Sequence, residues 1–341
     1  MLVSRYSTRK WPVLDHAVRW GRSQCLLWLP YVLFFVPVTL RFFVLVVLEA
    51  VYNLYLFFFT LPQSLQPIIS EGYSEGDAIV TGGTSGIGKE IARALILAGY
   101  HVHLPVRDMA KGRKVAEELG VKAVTLYQCN LSSIPEVLAF IAAFKSTHKQ
   151  LELLVNGLES HMAIHVLGTF LLTTGLASIL HGGRVVNVSS SVYYIVSHFD
   201  LRAFCDRSQF SRQGGYSNAK YAQTLLSMQL ALDLREHDIT VNCVHPGMVN
   251  TDIIRSDTLG KVVLRGIVNT IAPFIMLTPK QGALTPVWAA LSSECDNVTG
   301  RFFSDLQEEP LSGKIFHDLE HGYGKALFVH CENLVKKASN R

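Results

Sequence analysis

Charge is scarce in this chain. Only 17% of its 341 residues are Asp, Glu, Lys or Arg, while 49% are hydrophobic, and that balance excludes a solvated, unfolded chain. There is no internal repeat and no low-complexity linker, which excludes a solenoid or a fibre. Six cysteines stand at wide, irregular intervals (Cys25, Cys129, Cys205, Cys243, Cys295 and Cys331) with no C-x-x-C among them. A zinc motif is therefore not expected, and the cysteines read as buried thiols that pack like small hydrophobes. The body also lacks a basic cluster. Arg5, Arg9, Lys10, Arg19, Arg22 and Arg41 face only Asp15 within residues 1–41, and the remaining residues are near neutral. A nucleic-acid footprint is excluded on that ground.

What the chain does have is a long apolar run. From Leu26 to Leu61 the only charges are Arg41 and Glu49. As one helix it would measure about 54 Å, against a hydrocarbon layer of about 30 Å. A single simple span is excluded. Pro30 and Pro37 break the first half, so residues 26–40 read as a kinked interfacial piece and residues 42–61 as the best span. Cations precede the run and Glu71, Glu75 and Asp77 follow it, which places the N-terminus in the cytosol. One span would leave the body lumenal, and a hairpin would return it to the cytosol. The expected address is the endoplasmic reticulum, with a lipid droplet as the alternative, and membrane lipid is an expected partner.

Beyond Asp77, short β-rich runs alternate with longer amphipathic ones. Strands are predicted at 78–81, 101–106, 123–128, 151–155, 184–188, 239–244 and 301–303. Helices are predicted at 87–98, 110–119, 134–147, 158–180, 217–236 and 281–292. Such alternation implies an α/β fold with a doubly wound parallel sheet, preceded by the N-terminal membrane segment. The expected organisation is a basic tail at 1–25, an anchor at 26–62, a linker at 63–76, a domain at 77–305 and a helical extension at 306–341.

The first strand runs into Thr81-Gly82-Gly83-Thr84-Ser85-Gly86-Ile87-Gly88-Lys89. Glycines after a strand and before a helix let backbone N–H groups approach a pyrophosphate at the positive helix end. The second strand ends at Val106-Arg107, where an NAD site usually carries an acid for the ribose hydroxyls. Arg107, with Lys89 near the glycines, suits a 2′-phosphate and so NADP(H). Tyr216 and Lys220 stand four residues apart on one helix face, where an ammonium would lower the phenol pKa and equip the tyrosine for proton transfer. Ser189, Ser190 and Ser191 follow the strand at 184–188, at the carboxyl edge where such sheets bind ligands.

Together these residues resemble the short-chain dehydrogenase/reductase family over about residues 76–304. Thr81, Gly82, Gly86, Ile87 and Gly88 match its glycine turn, Asn187 to Ser190 its N-V-S-S element, and Tyr216 and Lys220 its Y-x-x-x-K. Pro246, Gly247 and Thr251 match its P-G-x-x-x-T. The interval from Ser190 to Tyr216 is most similar to the retinol dehydrogenase branch, often membrane-anchored. The resemblance implies a Rossmann-type sheet, a catalytic set of Tyr216, Lys220 and Ser190, and a cofactor site that also takes in Arg107, Asn130 and Asn156. Three departures surround that site. Asn130 replaces an aspartate expected to face the adenine, His165 replaces an asparagine that holds a relay water, and the fourth strand passes from Asn156 straight to Gly157. By comparison with the family, roughly 14 residues are missing there, although a short βα loop is physically allowed.

The apolar stretch 258–280 is expected to cover the substrate, which would be a lipophilic alcohol or carbonyl of the retinoid, steroid or polyprenoid class. The competing expectation is a dehydrogenase fold that binds without turnover. Substrate identity, reaction direction and homo-oligomerisation stay open.

Overall fold

The computed structural model describes residues 18–19, 21–26, 38–59, 65–72, 74–157, 164–201, 212–249 and 276–339. The predicted alternation is present as β1 (Asp77–Val80), α3 (Gly86–Leu97), β2 (His101–Val106), α4 (Met109–Leu119), β3 (Val124–Gln128), α5 (Ile134–Thr147), β4 (Leu153–Asn156), α6 (Thr169–Leu176), β5 (Arg184–Val188), α7 (Arg212–Asp233) and β6 (Thr240–His245). Two helices precede β1, α1 (Val38–Phe59) and α2 (Gln66–Glu71). After β6 come α8 (Pro279–Gly282), α9 (Leu284–Leu291), β7 (Phe302–Ser304), β8 (Gln307–Glu309), α10 (Gly313–Glu320) and α11 (Tyr323–Ser339).

The eight strands form one sheet in the order β3-β2-β1-β4-β5-β6-β7-β8. All neighbours are parallel except β7 and β8, which pair antiparallel with Phe303 opposite Glu308. The order reverses between β1 and β4, and that switch point opens a crevice at the carboxyl ends. Strands covered on both faces need apolar side chains pointing both ways, as in β4, buried throughout. One face is covered by α3 and α9, where Trp288 and Phe303 meet edge to face. The other is covered by α5, α6 and α7.

Several boundaries depart from the sequence pattern. The helix expected at 158–180 is described from a π-turn at Ile164–Gly168 onward, and residues 158–163 lie outside the described residues. The helix expected at 281–292 divides at Ala283 into α8, which a capping box of Thr278 and Gln281 starts two residues early, and α9. Residues 63–76, read as a linker, contain α2, whose Ile68 and Ile69 are buried against the body.

The expected membrane segment behaves differently from its hydropathy. Among the described residues, no helix is long and apolar enough to cross a membrane. The span expected at 42–61 instead falls on α1, which buries Leu45, Glu49 and Tyr52 against the body. The cause is electrostatic. Arg22 donates to Glu49 at 2.9 Å and to Glu309 of β8 at 2.8 Å, and the Tyr52 hydroxyl donates to Asp305 at 2.7 Å. Arg19 also pairs with Asp305. Burial alone would raise the Glu49 carboxyl, but the Arg22 guanidinium holds it well below the usual range.

Candidate active site

Thr81 to Ser85 leave β1 as a turn in which Gly82 (φ 65°) and Gly86 (φ 54°) occupy the left-handed region, where a side chain is strained. Gly88 is required for packing, since a Cβ there would lie 2.4 Å from the Gly82 carbonyl oxygen. Ser85 starts α3 in an extended conformation and makes no side-chain cap. The first-turn N–H groups of α3 therefore lack the usual internal acceptor, and they match a pyrophosphate in charge and geometry. Arg107 is exposed at the end of β2, and its neighbour Asp108 caps α4 by accepting from Ala110 and Lys111. Lys89 is paired with Glu118 at 2.9 Å, so the second cation expected near the phosphate already has an anion. The Asn130 side-chain oxygen accepts from Ser132 N at 3.1 Å and keeps one lone pair for a further donor.

The residues expected to transfer the proton lie near the carboxyl end of β5. Ser190 faces the Tyr216 hydroxyl and acts to lower its pKa, while its own hydroxyl accepts from Val192 N. Its neighbours point elsewhere, Ser189 to Thr224 at 2.9 Å and Ser191 to His245 at 3.2 Å. Lys220 is fully buried and donates to the Val188 carbonyl and to Gln223 Oε1, both at 2.8 Å. Burial pushes the Tyr216 phenol up to about 12, opposed by Ser190. The lowering expected from Lys220 does not contribute to that shift, and the ammonium is engaged by two other oxygens.

The chain leaving β4 is pinned. Asn156 Nδ2 donates to Asn187 at 2.8 Å, and Asn187 donates on to Ser227 at 2.8 Å. Gly157 N donates to Thr81 Oγ1 at 2.9 Å, and a Cβ on Gly157 would come within 2.3 Å of the Thr81 carbonyl oxygen. A narrow cleft remains between Thr81, Asn156, Gly157, Thr169 and Gln223. The residues thus fit the phosphate end of a dinucleotide. Pro246 and Gly247 follow β6, with Gly247 left-handed at φ 82°. Thr251 lies outside the described residues, as does most of the stretch 258–280 expected to cover the substrate. His165 sits on the π-turn, and its role as a water holder lies outside what is described.

The profile of the family described as short chain dehydrogenase matches residues 77–261. The chain belongs to the short-chain dehydrogenase family. It is 32% identical to human retinol dehydrogenase 12 over 252 residues, which covers 67% of this chain and 77% of that one. It is 33% identical to mouse polyprenol dehydrogenase over 262 residues, covering 69% and 77%. Among solved structures, L-sorbose reductase from Gluconobacter frateurii complexed with NADPH and L-sorbose superposes with a TM-score of 0.56 at 19% identity, covering 70% of this chain and 98% of that one. At that identity the likeness concerns the fold. The short-chain dehydrogenase motifs quoted from the sequence thus converge on one sheet edge.

Sequence reasoning missed Gln223, and it named Asn187 only as part of N-V-S-S, without its contacts. Gln223 holds Lys220 and reaches Thr169 at 3.3 Å, and Asn187 links Asn156 to α7. The three-residue step from Lys220 to Gln223 on one helix was a usable signal. The contact between Asn187 and Ser227 joins two elements and had none.

Proposed function

We infer that the protein is a membrane-associated, NADP(H)-dependent oxidoreductase that interconverts a hydrophobic alcohol and its carbonyl, of the retinoid, steroid or polyprenoid class. The grouping of Ser190, Tyr216 and buried Lys220 at the carboxyl end of β5 carries this reading. The names of the retinol and polyprenol relatives support the substrate class. NADPH, when bound, supplies the hydride. The Ser190 hydroxyl orients a carbonyl oxygen, and Tyr216, protonated at neutral pH, gives that oxygen its proton. Gln223 and the Val188 carbonyl keep Lys220 beneath them. Exposed Arg107, with no acid at the end of β2, supports a 2′-phosphate. Leu40, Phe43, Val47 and Val51 lie exposed along one face of α1, and this apolar stripe supports contact with lipid, the endoplasmic reticulum being the favoured membrane.

The tight chain at Gly157 supports slow turnover, and at its limit a binding protein without turnover. The test is purified full-length protein in lipid vesicles, given NADPH or NADH with retinal, a polyprenal or a ketosteroid. Slow NADPH consumption with at least one carbonyl, and less with NADH, is expected. Equal affinity for the two nucleotides would remove the NADP(H) assignment.

A further inference from the structure

At the amino-terminal edge of the sheet, opposite the dehydrogenase site, three side chains that no motif links come together. Asp77 opens β1, His103 stands third on the adjacent β2, and His148 caps the end of α5. One ligand atom from each lies within 4.8 Å of the other two. His103 Nε2 is 2.8 Å from Asp77 Oδ1, and the His103 and His148 rings meet edge to face with centroids 4.7 Å apart.

The outer contacts are those that ligating imidazoles need. His148 Nδ1 is 3.2 Å from the Phe144 carbonyl and 2.8 Å from Thr147 Oγ1. Donation of the Nδ1 proton to that carbonyl leaves the Nε2 lone pair outward. The other nitrogen of His103, Nδ1, lies 3.4 Å from the Tyr127 hydroxyl. Hydrogen bonds at the distal ring nitrogen fix the tautomer and ring orientation in metal sites. His103 is buried, stacked at 4.9 Å on the edge of Phe144, whereas Asp77 is about one third exposed. One side of the cluster is thus rigid and the other open to water.

We propose that Asp77, His103 and His148 bind a divalent transition-metal ion, zinc best, with water as the fourth ligand. Two imidazoles and a carboxylate are a zinc donor set. With zinc–ligand bonds of about 2.0–2.2 Å, tetrahedral ligand atoms stand about 3.3 Å apart. His148, at the half-buried helix end, reaches that spacing by side-chain rotation, while the Asp77–His103 pair opens slightly. The bound ion ties β1, β2 and the end of α5 together, far from Tyr216. It acts as a clip that stabilises the folded state by mass action.

The test uses the full chain, stripped with a chelator and titrated with zinc against a chromophoric competitor. The wild type is expected to bind one equivalent more tightly than either Asp77→Asn or His148→Ala by at least tenfold, with NADPH affinity unchanged in all three. Cobalt(II) added to the wild type should give a tetrahedral visible spectrum that zinc abolishes, a readout that does not depend on either variant folding. The proposal is overturned by equal zinc affinity and stoichiometry in wild type and variants, or by a cobalt spectrum that is octahedral only.

Discussion

At the residue scale the account turns on Tyr216. Its phenol is held up to about 12 by burial, so the protonated form persists across the neutral range and the residue is set as an acid. Carbonyl reduction should therefore show no Tyr216 titration between pH 6 and 9. Alcohol oxidation, which needs the phenolate, should rise about tenfold per pH unit toward the raised pKa. Replacing Ser190 with Ala removes the group that opposes the shift and should move the oxidation profile to still higher pH. Steady-state rates in both directions check this, and a reduction rate falling with a midpoint near pH 7 would contradict it. Gly88 gives a second prediction. Gly88→Ala drives a methyl against the Gly82 carbonyl, and backbone cannot yield as a flexible side chain can, so nucleotide binding should be lost along with about 1–3 kcal/mol of stability. Isothermal titration and thermal melts measure both.

At the element scale, a parallel sheet follows from the alternation of short apolar runs with helices, and all seven predicted strands fall within two residues of those observed. β8 was not legible. Its Gln307, Glu308 and Glu309 carry no β signature, and Glu309 becomes buried only because Arg22, more than 280 residues earlier, neutralises it. The same distant pairing explains α1. Hydropathy alone reads Leu26 to Leu61 as lipid-facing, while Glu49 selects the face that meets the body. Because the Glu49 carboxyl is held below its ordinary value of 4.5, the docked helix resists protonation. The stabilisation is present above about pH 4.5 and is lost as pH falls below it. Glu49→Gln should loosen α1 at neutral pH as acid does in the parent, and amide hydrogen exchange in residues 43–52 would register both. Unchanged protection in the variant would contradict the docking role.

At the scale of the whole molecule, the phosphate cradle and the proton-transfer set were legible because each is a local motif placed by a strand end. The partners that hold them, Asn187 to Ser227 and Gln223 to Thr169, join separate elements and needed the structure. So did the grouping of Asp77, His103 and His148. The short passage from Asn156 to Gly157 was visible as a departure from the family, and the structure pins Gly157 against Thr81. Inserting a family-length Asn-Asn-Ala-Gly loop between Asn156 and Gly157 should raise turnover while leaving the phosphate contacts of α3 intact. About 1 Å of misplacement at a reacting centre can cost 10²-fold, so the gain should be at least of that order. No gain, with the inserted chain folded and binding NADPH, would place the limit elsewhere. The most direct test of the central claim is single-turnover hydride transfer from NADPH to a hydrophobic carbonyl, measured for the full chain and for Tyr216→Phe. Slow transfer by the parent and a further loss of at least about 10²-fold in the variant are expected, with NADPH affinity nearly unchanged. Fast transfer that survives Tyr216→Phe would contradict it.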